Sequence, residues 1–378
     1  MLNRVIILAF TLALACSGVG CDKVKVSDKD VQDIKVAEVD ALTIVNATGP
    51  WVEETLRRAG ENPEVHIAPS RGTHIHVARE RIGHDGAFIF EAPQDGRIMF
   101  ILPWREDLTI IGTTDEFYEG PPDAVAATPE DIAYLLEATN RLLPGARLGP
   151  EDVISAWAGL RPLLAPSDGA SEAGAVSREF DVREGPDGVF SLSGGKLTSH
   201  RHMAEETVDR VEAFLARAGV PAANKVDTDK IPLPGAGFRD ITALRDGIRT
   251  RAKVHGLGAV TADRLTRAYG ARADRVIDLV QKDAELGAKI LEARPHVLAE
   301  AVYAVRNELA LHVEDVLYRR TRIGLETRDG TELAAQRVAE VMGPLLGWTK
   351  DDESREVERA IEVRAADDAA IRQLKESR

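Results

Sequence analysis

Gly194-Gly195-Lys196 closes the strand-like segment Val189 to Ser193 and opens a stretch with helical spacing, beginning Leu197-Thr198. Glycines at a strand-to-helix turn let the backbone approach a ligand closely. The free N–H groups of the first helical turn, with the helix dipole, favour an anion or an electron-rich ring atom. Lys196 adds a positive charge at the same place. A turn whose glycines merely meet left-handed backbone demands has the same pattern. Arg161 lies in Trp157-Ala158-Gly159-Leu160-Arg161-Pro162-Leu163, just past a strand signal. A planar guanidinium between apolar residues and a proline suits a carboxylate or phosphate ligand, with an ion pair to a nearby carboxylate as the alternative. Arg178, in Ser177-Arg178-Glu179-Phe180, reads by itself as a surface pair on an alternating strand-like segment. His74, in Gly72-Thr73-His74-Ile75-His76, supplies an imidazole able to act as base or hydrogen-bond donor near neutral pH. His74 and His76 share one face of a strand and invite a metal reading, but no carboxylate or third histidine stands at a convincing spacing.

Several elements must position these side chains. Ala41 to Val45 reads as a short buried strand punctuated by Asn46-Ala47-Thr48-Gly49-Pro50, and Trp51 to Ala59 as a helix stopped at Gly60. Strand, glycine turn and helix in that order resemble one edge of a nucleotide-binding sheet. His74 to Ala78, Ala87 to Glu91, Ile98 to Leu102 and Leu108 to Ile111 are β-rich runs separated by Gly, Asp and Pro, which predicts an antiparallel sheet. Ile111-Gly112-Thr113-Thr114-Asp115 ends the last of them in a polar turn. Pro129 to Leu143 reads as a helix with Thr128 as N-cap. Ile154 to Gly159 and Val189 to Ser193 are further strands, and Ser199 to Ala218 is an amphipathic helix. Pro221 to Gly237 is a linker, after which helical patterns dominate: Val260 to Tyr269, Ala271 to Lys282, Val297 to Leu309 and Leu333 to Met342. Asp351 to Arg378 is mostly charged and alanine-rich.

At ~150 residues per domain, 378 residues predict two domains plus an appendage. A net charge of −14 argues against nucleic acid as a partner, so any anionic ligand needs a local basic cluster. The two cysteines, Cys16 and Cys21, leave none in the body of the chain for disulfides, thiolate metal sites or a thiol nucleophile. Val5 to Ala15, interrupted by Thr11, follows Arg4 and leads into Cys16, the layout of an export or lipoprotein signal. It falls short of the roughly 20 residues that span a bilayer. The alternative is a strand of a parallel sheet. Gly18-Val19-Gly20-Cys21-Asp22-Lys23 places Lys23 where a dinucleotide loop needs its third glycine, and Gly195-Lys196 followed by Leu197 does not complete a P-loop.

Taken in order, Val45 to Trp51, Gly72-Thr73-His74-Ile75, Pro103-Trp104, Ile110 to Asp115, Gly159 to Leu163, Val176 to Glu179, Gly194 to Thr198 and Arg201 resemble the FAD-dependent, quinone-linked glycerol-3-phosphate dehydrogenases. The helical tail, with Arg319-Arg320-Thr321-Arg322-Ile323-Gly324-Leu325, is similar to that family's C-terminal domain. The resemblance implies an α/β (α+β) chain: a nucleotide-binding sheet remnant and an antiparallel substrate sheet in a partial FAD-dependent oxidoreductase fold, with an all-α C-terminal domain. The expected divisions are 1-21, signal-like or aberrant; 22-220, oxidoreductase and substrate sheet; 221-237, linker; and 238-378, helical.

The same resemblance implies oxidation of sn-glycerol 3-phosphate to dihydroxyacetone phosphate with FAD as cofactor and membrane quinone as acceptor. It gives His74 the reacting hydroxyl region, Arg161 and Lys196 the substrate pocket, and Arg178 a phosphate contact. Gly49, Gly194, Gly195, Leu197 and Thr198 would lie along FAD. The expected location is cytoplasmic or peripheral to the inner membrane, with export or lipid anchoring through Cys16 as the alternative, and a homodimer as a compatible assembly. Family members begin with a strand, a G-x-G-x-x-G turn and a helix that hold the FAD pyrophosphate. None precedes Val45 here, which leads to the expectation of a shortened chain that binds FAD poorly and turns over little unaided. The competing readings are a related FAD-dependent amino-acid or amine oxidase, in which the arginine binds a carboxylate, and an inactive remnant or exported binding protein.

Overall fold

The computed structural model describes residues 4–7, 37–63, 66–105, 107–165, 179–221 and 227–377. In chain order the strands are β1 (Arg4–Ile7), β2 (Ala37–Asp40), β3 (Ile44–Asn46), β4 (Ile67–Ala78), β5 (Phe88–Glu91), β6 (Ile98–Trp104), β7 (Leu108–Gly112), β8 (Glu116–Phe117), β9 (Val153–Leu164), β10 (Phe180–Glu184) and β11 (Val189–Gly194). The helices are α1 (Val52–Arg58), α2 (Arg79–Ile82), α3 (Pro129–Leu142), α4 (His200–Arg217), α5 (Ile241–Val254), α6 (Ala259–Tyr269), α7 (Ala273–Lys282), α8 (Leu298–Glu308), α9 (Thr331–Leu346) and α10 (Lys350–Glu376). The chain is mixed α and β with a helical C-terminal region. Its contacts divide it into two compact units. The first gathers 1–72, 114–125 and 158–228, and the second gathers 73–113, 126–157 and 229–378.

In the first unit, β3 runs parallel to β11, with Val189 opposite Ile44 and Ser191 opposite Asn46. β10 completes a three-stranded sheet antiparallel to β11. Phe190 is fully buried in its central strand and meets Phe214 of α4 edge to face at 5.8 Å. Two parallel neighbours therefore end at one edge of the sheet, each in a glycine turn that leads into a helix. β1 does form a strand, but it pairs antiparallel with β2 in a two-stranded ribbon rather than opening a parallel sheet. Cys16 lies outside the described residues.

The second unit is built on the antiparallel order β5, β6, β7, β4, with Ile75 opposite Ile111 and Ile101 opposite Ile111 on its other side. One face alternates Ile75, Val77, Met99, Ile101 and Ile111 into a core completed by Ile132, Leu135 and Leu136 of α3. The start of α3 explains itself locally. Thr128 Oγ1 accepts from the Asp131 N–H, the Asp131 carboxylate accepts from the Thr128 N–H, and Pro129 sits where its missing donor costs nothing. Asp131 also accepts from Thr73 Oγ1 at 2.9 Å, tying α3 to β4 beside His74.

The C-terminal helices bury two further apolar clusters. Between α6 and α8 the Arg264 guanidinium meets the Glu300 carboxylate with both side chains buried, and Tyr269 OH donates to the same carboxylate at 2.9 Å. α5, which follows the proline-glycine stretch, is capped by Asp240. Lys350–Glu376, most of the charged stretch, form a single long helix, α10, opened by a Thr349 capping box.

Candidate functional site

Arg161 lies near the end of β9, in the first unit. Its Nη1 donates to Asp115 Oδ1 at 3.1 Å and to Ser70 Oγ at 3.2 Å, and its Nη2 donates to the Thr114 carbonyl at 3.2 Å. Ser70 in turn hydrogen-bonds Asp115, which is 8% exposed. A guanidinium tethered by three groups has lost its rotamer freedom before any ligand arrives, so the ordering cost of binding an anion is already met. Gly72 makes the placement possible: a Cβ there would lie 2.6 Å from Nη1 and 2.8 Å from Cζ. The alternative ion pair foreseen for Arg161 is therefore present, with Asp115, and it serves as a tether. Ser70 carries no sequence signal, and Asp115 reads only as part of a polar turn.

Lys196 lies at the carboxyl edge of the β3–β11 pair, exposed, in extended conformation immediately before the short 3-10 turn Leu197–Ser199 that leads into α4. Gly194 and Gly195 have φ of +74° and +82°, a region that L side chains avoid. A Cβ on Gly195 would come within 2.7 Å of the Met203 side chain. The local fold thus already demands both glycines. What it leaves at the edge is Leu197, 88% exposed, and Thr198, also exposed. Gly49, with φ +59°, opens the turn after the neighbouring strand. An apolar side chain, a hydroxyl and an ammonium at the carboxyl ends of two parallel strands fit a flavin nucleotide, which presents a flat ring system and a phosphate-bearing arm. Arg178 lies outside the described residues.

In the second unit, His74 is half-buried on β4 opposite Gly112 of β7. Its ring stacks on Trp157, with centroids 5.6 Å apart and 10° between planes. A Cβ on Gly112 would lie 2.8 Å from the ring Cγ and Nε2, so the imidazole occupies the space a side chain would need. His76 is buried, with Nδ1 at 2.9 Å from the Leu325 carbonyl and 3.1 Å from Ser155 Oγ. Burial pushes its pKa down to about 4, so it is neutral at physiological pH. Among the described residues no group of three or more His, Cys, Asp and Glu is placed to hold a metal ion.

The sequence of residues 13–210, just over half of the chain, matches the family model described as FAD dependent oxidoreductase. The chain belongs to this family. Residues 226–353 of this FAD-dependent oxidoreductase match the C-terminal domain of alpha-glycerophosphate oxidase. A glycerol-3-phosphate dehydrogenase of Mycobacterium leprae (strain TN) is 36% identical over 331 residues, covering 87% of this chain and 54% of its own length. An aerobic glycerol-3-phosphate dehydrogenase of Staphylococcus haemolyticus is 30% identical over 349 residues, covering 90% of this chain and 62% of its own. The chain thus spans little more than half the length of the curated relatives it matches. The crystal structure of the glycerol-3-phosphate dehydrogenase from Bacillus halodurans complexed with FAD superposes with a TM-score of 0.73 at 29% identity, covering 87% of this chain and 63% of that one.

Proposed function

We propose that this chain is an FAD-dependent glycerol-3-phosphate dehydrogenase, oxidising sn-glycerol 3-phosphate to dihydroxyacetone phosphate, with quinone as the final acceptor. The tethered Arg161 is the observation that carries the reading. A guanidinium fixed by Ser70, Thr114 and Asp115 is preorganised for a planar or tetrahedral oxyanion. The names of the relatives favour phosphate over carboxylate as that oxyanion.

FAD, when bound, supplies the hydride acceptor for C2 of the substrate. The residues of the chain do the rest. Arg161 and Lys196, with Arg178, neutralise and orient the phosphate. His74 takes the proton of the 2-hydroxyl as C2 is oxidised, for which an imidazole is suited near neutral pH. Gly49, Gly194, Gly195, Leu197 and Thr198 line the cofactor. From the family resemblance, the protein works in the cytoplasm or peripheral to the inner membrane. Among the described residues no helix is long and apolar enough to cross a membrane.

The competing oxidase reading places a carboxylate on Arg161. Calorimetric titration with sn-glycerol 3-phosphate, glycerol and glycine separates the two. Binding of the phosphate ester alone, weakened by Arg161→Lys about tenfold through loss of the planar fork, supports the proposal. Tighter binding of glycine, or binding indifferent to Arg161, overturns it.

A further inference from the structure

We propose that Trp157 is a positioning residue that holds the His74 imidazole in one plane, with His76 packed against the same indole and anchoring it. The role of His74 as proton acceptor rests on the function proposed above; the positioning of its ring does not. Two aromatic contacts meet at Trp157. Its indole stacks on His74 nearly parallel, at 10°, and meets His76 at a centroid separation of 4.6 Å and 48°. An offset parallel stack restricts rotation about the imidazole χ2, which is otherwise a broad torsion. Gly112 restricts it further, because the ring already fills the position of the missing Cβ.

The anchor is fixed by backbone. Ser155 Oγ donates to the Leu325 carbonyl at 2.6 Å, and His76 Nδ1 lies 2.9 Å from the same oxygen. A carbonyl can only accept, so Nδ1 carries the hydrogen and the tautomer of His76 is determined. Leu325 is held in place by its neighbours: Arg364 donates to the carbonyls of Gly324 and Thr327, and the Glu326 carboxylate accepts from Arg105 Nε at 2.8 Å. This gives a purpose to the Arg319 to Leu325 segment, which lies far along the chain from the sheet. It brings a rigid carbonyl to His76, and through His76 a fixed wall to Trp157. Among the described residues, each of these contacts lies inside the second unit.

The test uses the full chain labelled at histidine, with His74 assigned from the spectrum of His74→Asn. Trp157→Leu removes the stacking face and Trp157→Phe keeps one. We expect the Leu variant to lose the ring-current displacement of the His74 Cδ2 and Cε1 protons. The Phe variant should fall between it and the wild type. With FAD in excess, kcat should drop about tenfold or more in the Leu variant while KM changes less than about threefold, since misorientation costs rate rather than binding, and Phe should recover most of the loss. His74 signals unchanged in the Leu variant, or a Phe variant no closer to wild type than Leu, overturn the proposal. If Leu unfolds the protein, the Phe variant decides: its His74 Cδ2 and Cε1 protons must shift part of the way toward the free-imidazole positions. Signals that move as expected in a protein that leaves glycerol 3-phosphate unoxidised sustain the positioning role and contradict the proposed activity.

Discussion

The two units carry their chemistry on different foundations. The second sets His74 on a sheet whose opposite face is a closed apolar core, and joins it to two further buried clusters among the helices. The first carries Arg161 on β9 and Lys196 with the glycine turns at the end of a three-stranded sheet, and its buried apolar side chains among the described residues are Val52, Leu56, Leu163, Val182, Val189 and Phe190. Polar tethers to Arg161 supplement that thin core. The difference teaches where rigidity comes from: packing fixes the histidine, whereas hydrogen bonds fix the arginine. A ligand should therefore stabilise the first unit more than the second.

The largest expected effect attacks the helical foundation. Glu300→Ala leaves the buried Arg264 uncompensated and should cost about 3–5 kcal/mol in urea unfolding. A loss below about 1 kcal/mol would show that the pair is not what the helices depend on.

Acid should act on the second unit next. His76 has its folded pKa lowered to about 4 from 6.5, so the unfolded chain binds the proton more readily. Stability from this group is present above pH 6.5 and is lost as pH falls toward 4, by about 3 kcal/mol at full extent. His296, lowered by burial, works in the same direction. Asp367 opposes them. Burial raises its pKa to about 6, so its contribution is present in acid and fades as pH rises from 3.8 to 6. Urea midpoints between pH 7 and pH 5 should fall in the wild type and fall less in His76→Gln. Equal slopes would break the assignment.

Gly72→Ala acts on the first unit. A methyl group there displaces the Arg161 guanidinium, so affinity for glycerol 3-phosphate should weaken about tenfold, or 1.4 kcal/mol. The melting temperature should shift little, because the tether lies outside the apolar clusters. A large loss of stability with unchanged affinity would mean that Arg161 is structural. The smallest effect is at the cap: Thr128→Ala should cost about 1 kcal/mol of stability and leave ligand affinity alone.

Legibility in the sequence followed the same physical lines. Elements with strong periodicity and clear punctuation, such as β5 to β7 and α3 with its Thr128 cap, emerge at nearly the boundaries the sequence predicts. α10 does not, because the face it buries is made of Ala360, Arg364, Ala370, Ile371 and Leu374, too small and too polar to stand out against its charges. α5 buries Ile248 and Ala252 amid arginines, directly after a stretch dominated by proline and glycine. Arg161 and His74 could be picked out by their settings, and the family resemblance supplied their roles. Their supports could not be picked out. Asp115 reaches Arg161 across 46 positions, and Leu325 reaches His76 across 249, pairings that periodicity along the chain does not encode.

As proposed above, this chain oxidises a phosphate ester of glycerol with FAD. The direct measurement is the anaerobic absorbance of flavin in the presence of the purified chain and excess FAD, before and after sn-glycerol 3-phosphate, with glycine and glycerol in parallel. Bleaching of the flavin band by the phosphate ester alone, lost in Arg161→Ala, is the predicted result. Flavin that remains oxidised with glycerol 3-phosphate, or that bleaches with glycine instead, would contradict the account.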